Sequence, residues 1–311
     1  MIMGFIDQMR AEGHAVESVC RVLRQEGCQI AARTYRAWRH RSASARDTSD
    51  AVLLNVLHDL VGTPEGLYGR RKMTAWLRRE GHQVGAGRVD RLMRVAGMNG
   101  VRRGRPVRTT VPAKDGCRAG DLLNRDFTAA APNTKWVADF TYVRTWAGFV
   151  YVAFVLDCYS QRILAWHAAT AKTTPLVLTP LRIALWDRDR HGHPVQPGEL
   201  IAHSDAGSQY TSLRFAEHLA AEGIAASIGT VADAYDNALM ECVIGLYKTE
   251  CITTTIFHNG PYKTIADVEY ATAGWVEWYN NRRLHSSLAM TTPAEYETAY
   301  YAALNRELAP T

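Results

Sequence analysis

Trp136-Val137-Ala138-Asp139-Phe140-Thr141-Tyr142-Val143-Arg144 is rich in the β-branched and aromatic residues that suit a pleated strand, yet it carries an aspartate, which strands disfavour. Two more β-prone runs follow, 149–157 and 162–168, behind short turn-containing connections, the first holding Ala147-Gly148. Three such runs predict an antiparallel meander. Further on, the apolar period predicts a helix over 175–187, a strand over 200–203, a helix over 213–221, a strand over 225–228 and a helix over 237–249. The order of strands 1-2-3, helix, strand, helix, strand, helix makes this part of the chain α/β.

Two further carboxylates stand out along this frame. Asp205 lies in His203-Ser204-Asp205-Ala206-Gly207-Ser208-Gln209-Tyr210, just after a strand-like run, and 35 residues separate it from Glu241 in Asp236-Asn237-Ala238-Leu239-Met240-Glu241, inside a helix-like run. With Asp139 they form a set that can converge on two divalent metals, the arrangement that cuts and joins phosphodiesters. Spacing alone is unspecific, because 31 Asp and Glu produce many accidental pairs. Each acid also has a plainer role open to it: a strand-end acid, a turn acid with Gly207, an exposed helical glutamate. Asp236 reads as the N-cap of the last helix. His203-Ser204-Asp205 does not read as a hydrolase triad, since neighbours in a strand point to opposite sides and no Gly-x-Ser-x-Gly elbow is present.

These segments, together with Lys248-Thr249-Glu250, Tyr279-Asn280-Asn281-Arg282-Arg283-Leu284-His285-Ser286-Ser287-Leu288 and Thr292-Pro293-Ala294-Glu295-Tyr296, resemble the catalytic signatures of insertion-sequence transposases of the OrfB type, in the retroviral-integrase superfamily. The likeness runs from about 135 to 296 and continues more weakly in Gly87-Arg88-Val89-Asp90-Arg91-Leu92-Met93-Arg94. It implies a ribonuclease-H-like integrase core, the same order of elements read above. It also implies that Asp139, Asp205 and Glu241 are catalytic residues and metal ligands for Mg²⁺ or Mn²⁺, two ions per active site. Water would attack first, and the exposed 3′ hydroxyl would then attack a second phosphodiester in the same site. The implied partners are double-stranded DNA, as the element's terminal repeats and as target, and further copies of the chain on that DNA. Fusion to an upstream-frame protein by frameshifting is implied as well. Two departures lie beside the acids: Cys242-Val243 stand where the family often has Ser-Phe, and Thr230-Val231-Ala232 lacks the basic residues of many relatives.

The remaining sequence supplies the means to hold DNA. The chain has 311 residues and a net charge of +5, but residues 1–114 carry a net +11 and residues 115–311 a net −6. A basic front half suits an anionic polymer, and an acidic-leaning rear half suits a metal site. Helical periods with glycines at 13 and 27 predict a helix-turn-helix unit over 1–41, whose last helix offers Arg33, Arg36 and Arg39. Polar residues 42–49 read as a linker. A second helical unit over 50–98 ends in a helix on which Arg88, Arg91 and Arg94 form one stripe, as on a recognition helix. A basic linker over 99–133, with Arg102, Arg103 and Arg105, reads as an arm along phosphates or as a solvated tether. The core is expected over 134–260 and a helical extension over 261–311. Lys248 falls two turns beyond Glu241 on the same helical face, near the DNA end; Arg282 and Arg283 are expected at phosphate, with Trp275 and Trp278 in the core.

Six cysteines form no Cys-x-x-Cys pair and no zinc spacing, so they read as reduced thiols. The longest apolar run, 149–156, is too short to span a bilayer, and the start lacks a secretory signal, which predicts a cytoplasmic, nucleoid-associated protein without a membrane partner. Two rival readings are a DNA-binding regulator with a decayed core and a plain nuclease of the same fold. The intact acid triad argues against the first, and two DNA-reading units ahead of the core argue against the second.

Overall fold

The computed structural model describes residues 2–102, 122–123, 126–205, 209–228 and 237–307. Arg103, Arg105, Gly207, Asp236 and the 230–232 loop therefore lie outside the described residues. Contacts divide the chain into two compact units, Met1–Val56 and Leu57–Thr311.

In the first unit, α1 (Ile2–Ala11), α2 (Val16–Gln25) and α3 (Ala32–Arg39) close around Ile6, Val19, Cys20, Ile30 and Tyr35. Gly13 and Gly27 take φ of 92° and 84°, the left-handed backbone at which a side chain would be strained, and so end the first two helices where the sequence predicts. The expected linker over 42–49 is instead mostly the start of α4 (Ala45–Asp59). Ser44 Oγ accepts the Asp47 N–H at 3.2 Å, and the Asp47 carboxylate accepts the Ser44 N–H at 3.0 Å. This reciprocal cap satisfies helix donors that a linker would leave to water.

The second unit opens on α5 (Arg70–Arg79) and α6 (Ala86–Val95), which bury Met73 and Leu77 against Val89, Leu92 and Met93. The stretch from Glu65 through α5 is anchored to the far end of the chain, at α10 (Ile265–Asn281), α11 (Pro293–Glu307) and the segment between them. Trp278 Nε1 donates to Glu65 at 3.0 Å, the Tyr68 hydroxyl accepts the Leu284 N–H at 3.0 Å, and Arg79 pairs with Glu295.

Between these lies a five-stranded sheet of order β3-β2-β1-β4-β5. β1 (Lys135–Thr145), β2 (Gly148–Asp157) and β3 (Ile163–Ala169) form the expected antiparallel meander, and β4 (Ile201–Ser204) and β5 (Ala225–Ile228) add parallel strands beyond β1. This is the ribonuclease-H-like arrangement. Trp136, Ala138 and Phe140 face α7 (Thr174–Arg190) and α8 (Leu213–Ala221) in one core cluster. Because strand side chains alternate, Asp139 shares the opposite face with its cross-strand partner Phe154. Phe154 packs there against Tyr247 at 5.1 Å and Trp275 at 6.2 Å, below α9 (Ala238–Leu246) and α10.

A buried charge network ties the sheet to α11. Arg188 of α7, 1% exposed, donates to Glu297 at 2.9 Å and to Asp157 at 3.4 Å, and Asp157 also accepts the Asn133 N–H at 2.7 Å. No helix among the described residues is long and apolar enough to cross a membrane.

Candidate active site

β4 stops at Ser204, which pairs with Ala138, so Asp139 and Asp205 follow as the next residues on two adjacent parallel strands. Beyond that point β1 has a strand neighbour only on its β2 side among the described residues. Glu241 comes from the first turn of α9. The residue at that helix's N-cap is Asn237, whose Nδ2 donates to the Ala138 carbonyl at 3.2 Å. One amide thus fastens the helix carrying Glu241 to the backbone just before Asp139.

The acids oppose one another. Burial, then the charge of Asp205 and more weakly that of Glu241, pushes the Asp139 carboxyl well above the usual carboxylate range; the Phe140 N–H on its Oδ1 at 2.7 Å and Lys248 act the other way. Glu241 is raised by displacement of water from its carboxylate, although much of the side chain stays accessible. Lys248 is lowered by burial, against the pull of Asp139, and its Nζ sits 4.8 Å from the centre of the Tyr142 ring. Tyr210 is buried beside Asp139 and Asp205, and its hydroxyl has no hydrogen-bond partner among the described residues. Among those residues no three His, Cys, Asp or Glu side chains are close enough to share one ion. The donor set nonetheless suits a hard cation: carboxylate oxygens, mutually repelling, with one half-buried lysine between them and neutrality.

The sequence-predicted DNA residues divide. Arg33, Arg36 and Arg39 are exposed on α3, Arg36 paired with Glu17. On α6, Arg88 and Arg91 are half-exposed, and Arg94 is exposed and paired with Asp90. Arg102 is exposed, and Arg282 is exposed with its Nε 3.7 Å from Glu277. Arg283, expected at phosphate, is instead buried at 3% exposure and gripped by Glu250 at 2.9 and 2.6 Å. A π-helical turn, Tyr247–Ile252, continues α9 and carries Glu250 inward, where Trp275 Nε1 also reaches it at 3.4 Å. Asn237, Tyr210 and Glu250 all stood inside the quoted motifs, but their roles depend on partners distant in sequence. Of the described cysteines, Cys20, Cys158 and Cys251 are buried, Cys28 is half-buried and Cys242 is exposed.

Comparison with known proteins gives the same order, a helix-turn-helix part ahead of an integrase core. The family described as "Integrase core domain" matches residues 129–234, a second family of the same description matches 222–293, and one described as "HTH-like domain" matches 52–106. A putative transposase for insertion sequence element IS986/IS6110 from Mycobacterium tuberculosis is 45% identical over 280 residues, 90% of this chain and 99% of that protein. The transposase for insertion sequence element IS629 from Shigella sonnei is 42% identical over 311 residues, 98% of this chain and 99% of that protein. The solved HTLV-2 integrase catalytic core in complex with magnesium is 16% identical, covering 54% of this chain and 98% of its own, with a TM-score of 0.41.

Proposed function

The chain belongs to the insertion-sequence transposases, and from that membership we propose that Asp139, Asp205 and Glu241 are its catalytic carboxylates, holding two divalent ions, Mg²⁺ or Mn²⁺, at the DNA strand to be cut. The observation that carries the assignment is the joining of three elements at one point: two parallel strands that bring Asp139 and Asp205 side by side, and a helix bearing Glu241 that Asn237 ties to the Ala138 carbonyl. When bound, such ions polarise the scissile phosphate and make an oxygen nucleophile available at neutral pH.

The protein's own groups set the stage. Phe140 N–H fixes one oxygen of Asp139 and leaves the other to the site. Lys248, beside Asp139 at the open edge of β1, supplies a cation for the phosphate backbone next to the cut. Arg33, Arg36 and Arg39 on α3 and Arg88, Arg91 and Arg94 on α6 hold the element's terminal repeats, with Arg102 and Arg282 as further phosphate contacts. Target DNA enters the same site as the second phosphodiester. Two ends must be brought together, so a homo-oligomer works on DNA in the nucleoid, supplied directly or as a fusion with an upstream-frame protein.

Strand joining tests the reading against a plain nuclease. Given a precleaved duplex end with a free 3′ hydroxyl and Mg²⁺ or Mn²⁺, the protein should link that end to a second phosphodiester, and a 3′-deoxy end should bind without joining. Hydrolysis alone, with a cognate end and the upstream-frame protein supplied, would make the protein a nuclease.

A further inference from the structure

A row of aromatic side chains leaves the core beside the carboxylates and grows steadily more exposed. Tyr210, 3% exposed, packs on Phe140 with ring centroids 6.2 Å apart, and Phe140 meets Tyr151 at 6.4 Å. Tyr151 lies opposite Tyr142 in the β1–β2 register, and Tyr142 meets Phe149 edge-on at 5.3 Å. Trp146 stands at the hairpin tip. Exposure rises to 42% at Tyr142, 45% at Phe149 and 73% at Trp146. A cation accompanies each of these three rings: Lys248 4.8 Å from Tyr142, Arg144 5.6 Å from Phe149 and Lys263 5.5 Å from Trp146.

Hairpin tips ordinarily carry small polar residues, and a tryptophan 73% exposed there adds little to the core. This tip is also rigidly held. Trp146 N–H donates to the Tyr262 carbonyl at 3.0 Å, Ala147 N–H to the Lys263 carbonyl at 3.0 Å, and Thr145 Oγ1 to the Gly148 carbonyl at 2.8 Å. A ligand would therefore meet rings carried on backbone already fixed by folding. Exposed aromatic rings, each with a cation held over it, complement bases linked by phosphates. Paired bases hide their faces inside the duplex, so the strand that fits is an unpaired one.

We propose that Tyr142, Phe149 and Trp146, with Lys248, Arg144 and Lys263, form a stacking platform for unpaired nucleotides of the DNA strand that leaves the carboxylate site. The platform rests on the function proposed above for the location of the DNA; it goes further in requiring that the duplex be open there.

The test compares two short mixed-sequence duplexes, one fully paired and one with its last few pairs mismatched and a 2-aminopurine among the unpaired bases. The full-length protein should bind the open end more tightly and quench its fluorescence. Trp146→Ala, at an exposed position that leaves folding alone, should cut that preference about tenfold, the worth of one base stack, and relieve the quenching. Trp146→Phe should restore both. If wild type binds the two ends equally, or Trp146→Ala keeps preference and quenching, the platform is wrong while the transposase reading stands on paired-DNA binding and cutting. A change in sedimented mass with unaltered preference would give the face to a second copy of the chain and overturn the proposal. Failure of the wild type to cut or join a cognate end with metal, the upstream-frame protein supplied, would remove the proposed function, and the platform with it.

Discussion

The Asn237 side-chain amide donates to the Ala138 carbonyl oxygen at 3.2 Å, so the helix that carries Glu241 and the strand that carries Asp139 meet through one hydrogen bond. Asn237 is buried, and the acids on either side repel one another, so this bond resists a separation that their charges favour. Asn237→Ala should cost about 1 kcal/mol of stability, the usual worth of a hydrogen bond. Its effect on strand cleavage should be far larger, about a hundredfold, because small misplacements of reacting groups are that expensive. Asn237→Asp, which sets a carboxylate against a carbonyl and two other acids, should be no better than alanine. Thermal melts and cleavage rates on the same preparations decide it; near-wild-type cleavage in both variants would show that the bond does not position the site.

Asp139→Asn, Asp205→Asn and Glu241→Gln should each abolish cleavage and joining while leaving DNA-end binding in place. Asp139→Asn carries a second expectation. Burial and two neighbouring acids penalise the ionised Asp139, so a neutral isostere should raise the melting temperature of the metal-free protein. Added Mg²⁺ should then stabilise wild type more than the variant, since a ligand stabilises the state that binds it. An Asp139→Asn protein that melts lower than wild type without metal and responds to Mg²⁺ equally would remove Asp139 from a metal site.

Local chemistry made much of this fold readable. Residues 213–221 and 225–228 repeat and alternate with the periods of a helix and a strand, and they form α8 and β5 with those bounds. Two failures have physical causes. Ser44-Ala45-Arg46-Asp47 looks like linker composition, but spaced by three the serine and aspartate cap a helix. Arg283 looks like a phosphate contact because its charge is visible in sequence and its partner, Glu250, is 33 residues away on a π-helical turn. At the proposed site, residue type and framing single out the acids, whereas nothing in the sequence singles out Asn237 and Tyr210, because a hydrogen bond to Ala138 and a place beside Phe140 exist only once the chain is folded.

Arg283 and Glu250 should therefore behave as structure. Removing one partner of a buried bidentate pair strands the other charge, at about 3–5 kcal/mol. Arg283→Ala and Glu250→Gln should lower the denaturant midpoint strongly, and whatever protein stays folded should bind DNA with unchanged affinity and salt dependence. An Arg283→Ala protein of wild-type stability but weakened DNA binding would return this arginine to the phosphate backbone.

The helix α6 makes the opposite case, for residues proposed to serve DNA at little cost to the fold. Val89, Leu92 and Met93 bury its inner face, while Arg88, Arg91 and Arg94 keep part or all of their surface in water. Replacing the three arginines by alanine in the full-length chain should leave the melt nearly unchanged. Each phosphate that is no longer neutralised removes about 0.9 from the slope of log affinity against log salt, so three should flatten it by roughly 2 to 3. Arg94 already shares its charge with Asp90, which should make Asp90→Asn, in the otherwise intact chain, bind terminal DNA slightly more tightly. If the triple variant keeps both affinity and slope, α6 is a packing helix, and DNA-end recognition has to come from the exposed arginines of α3.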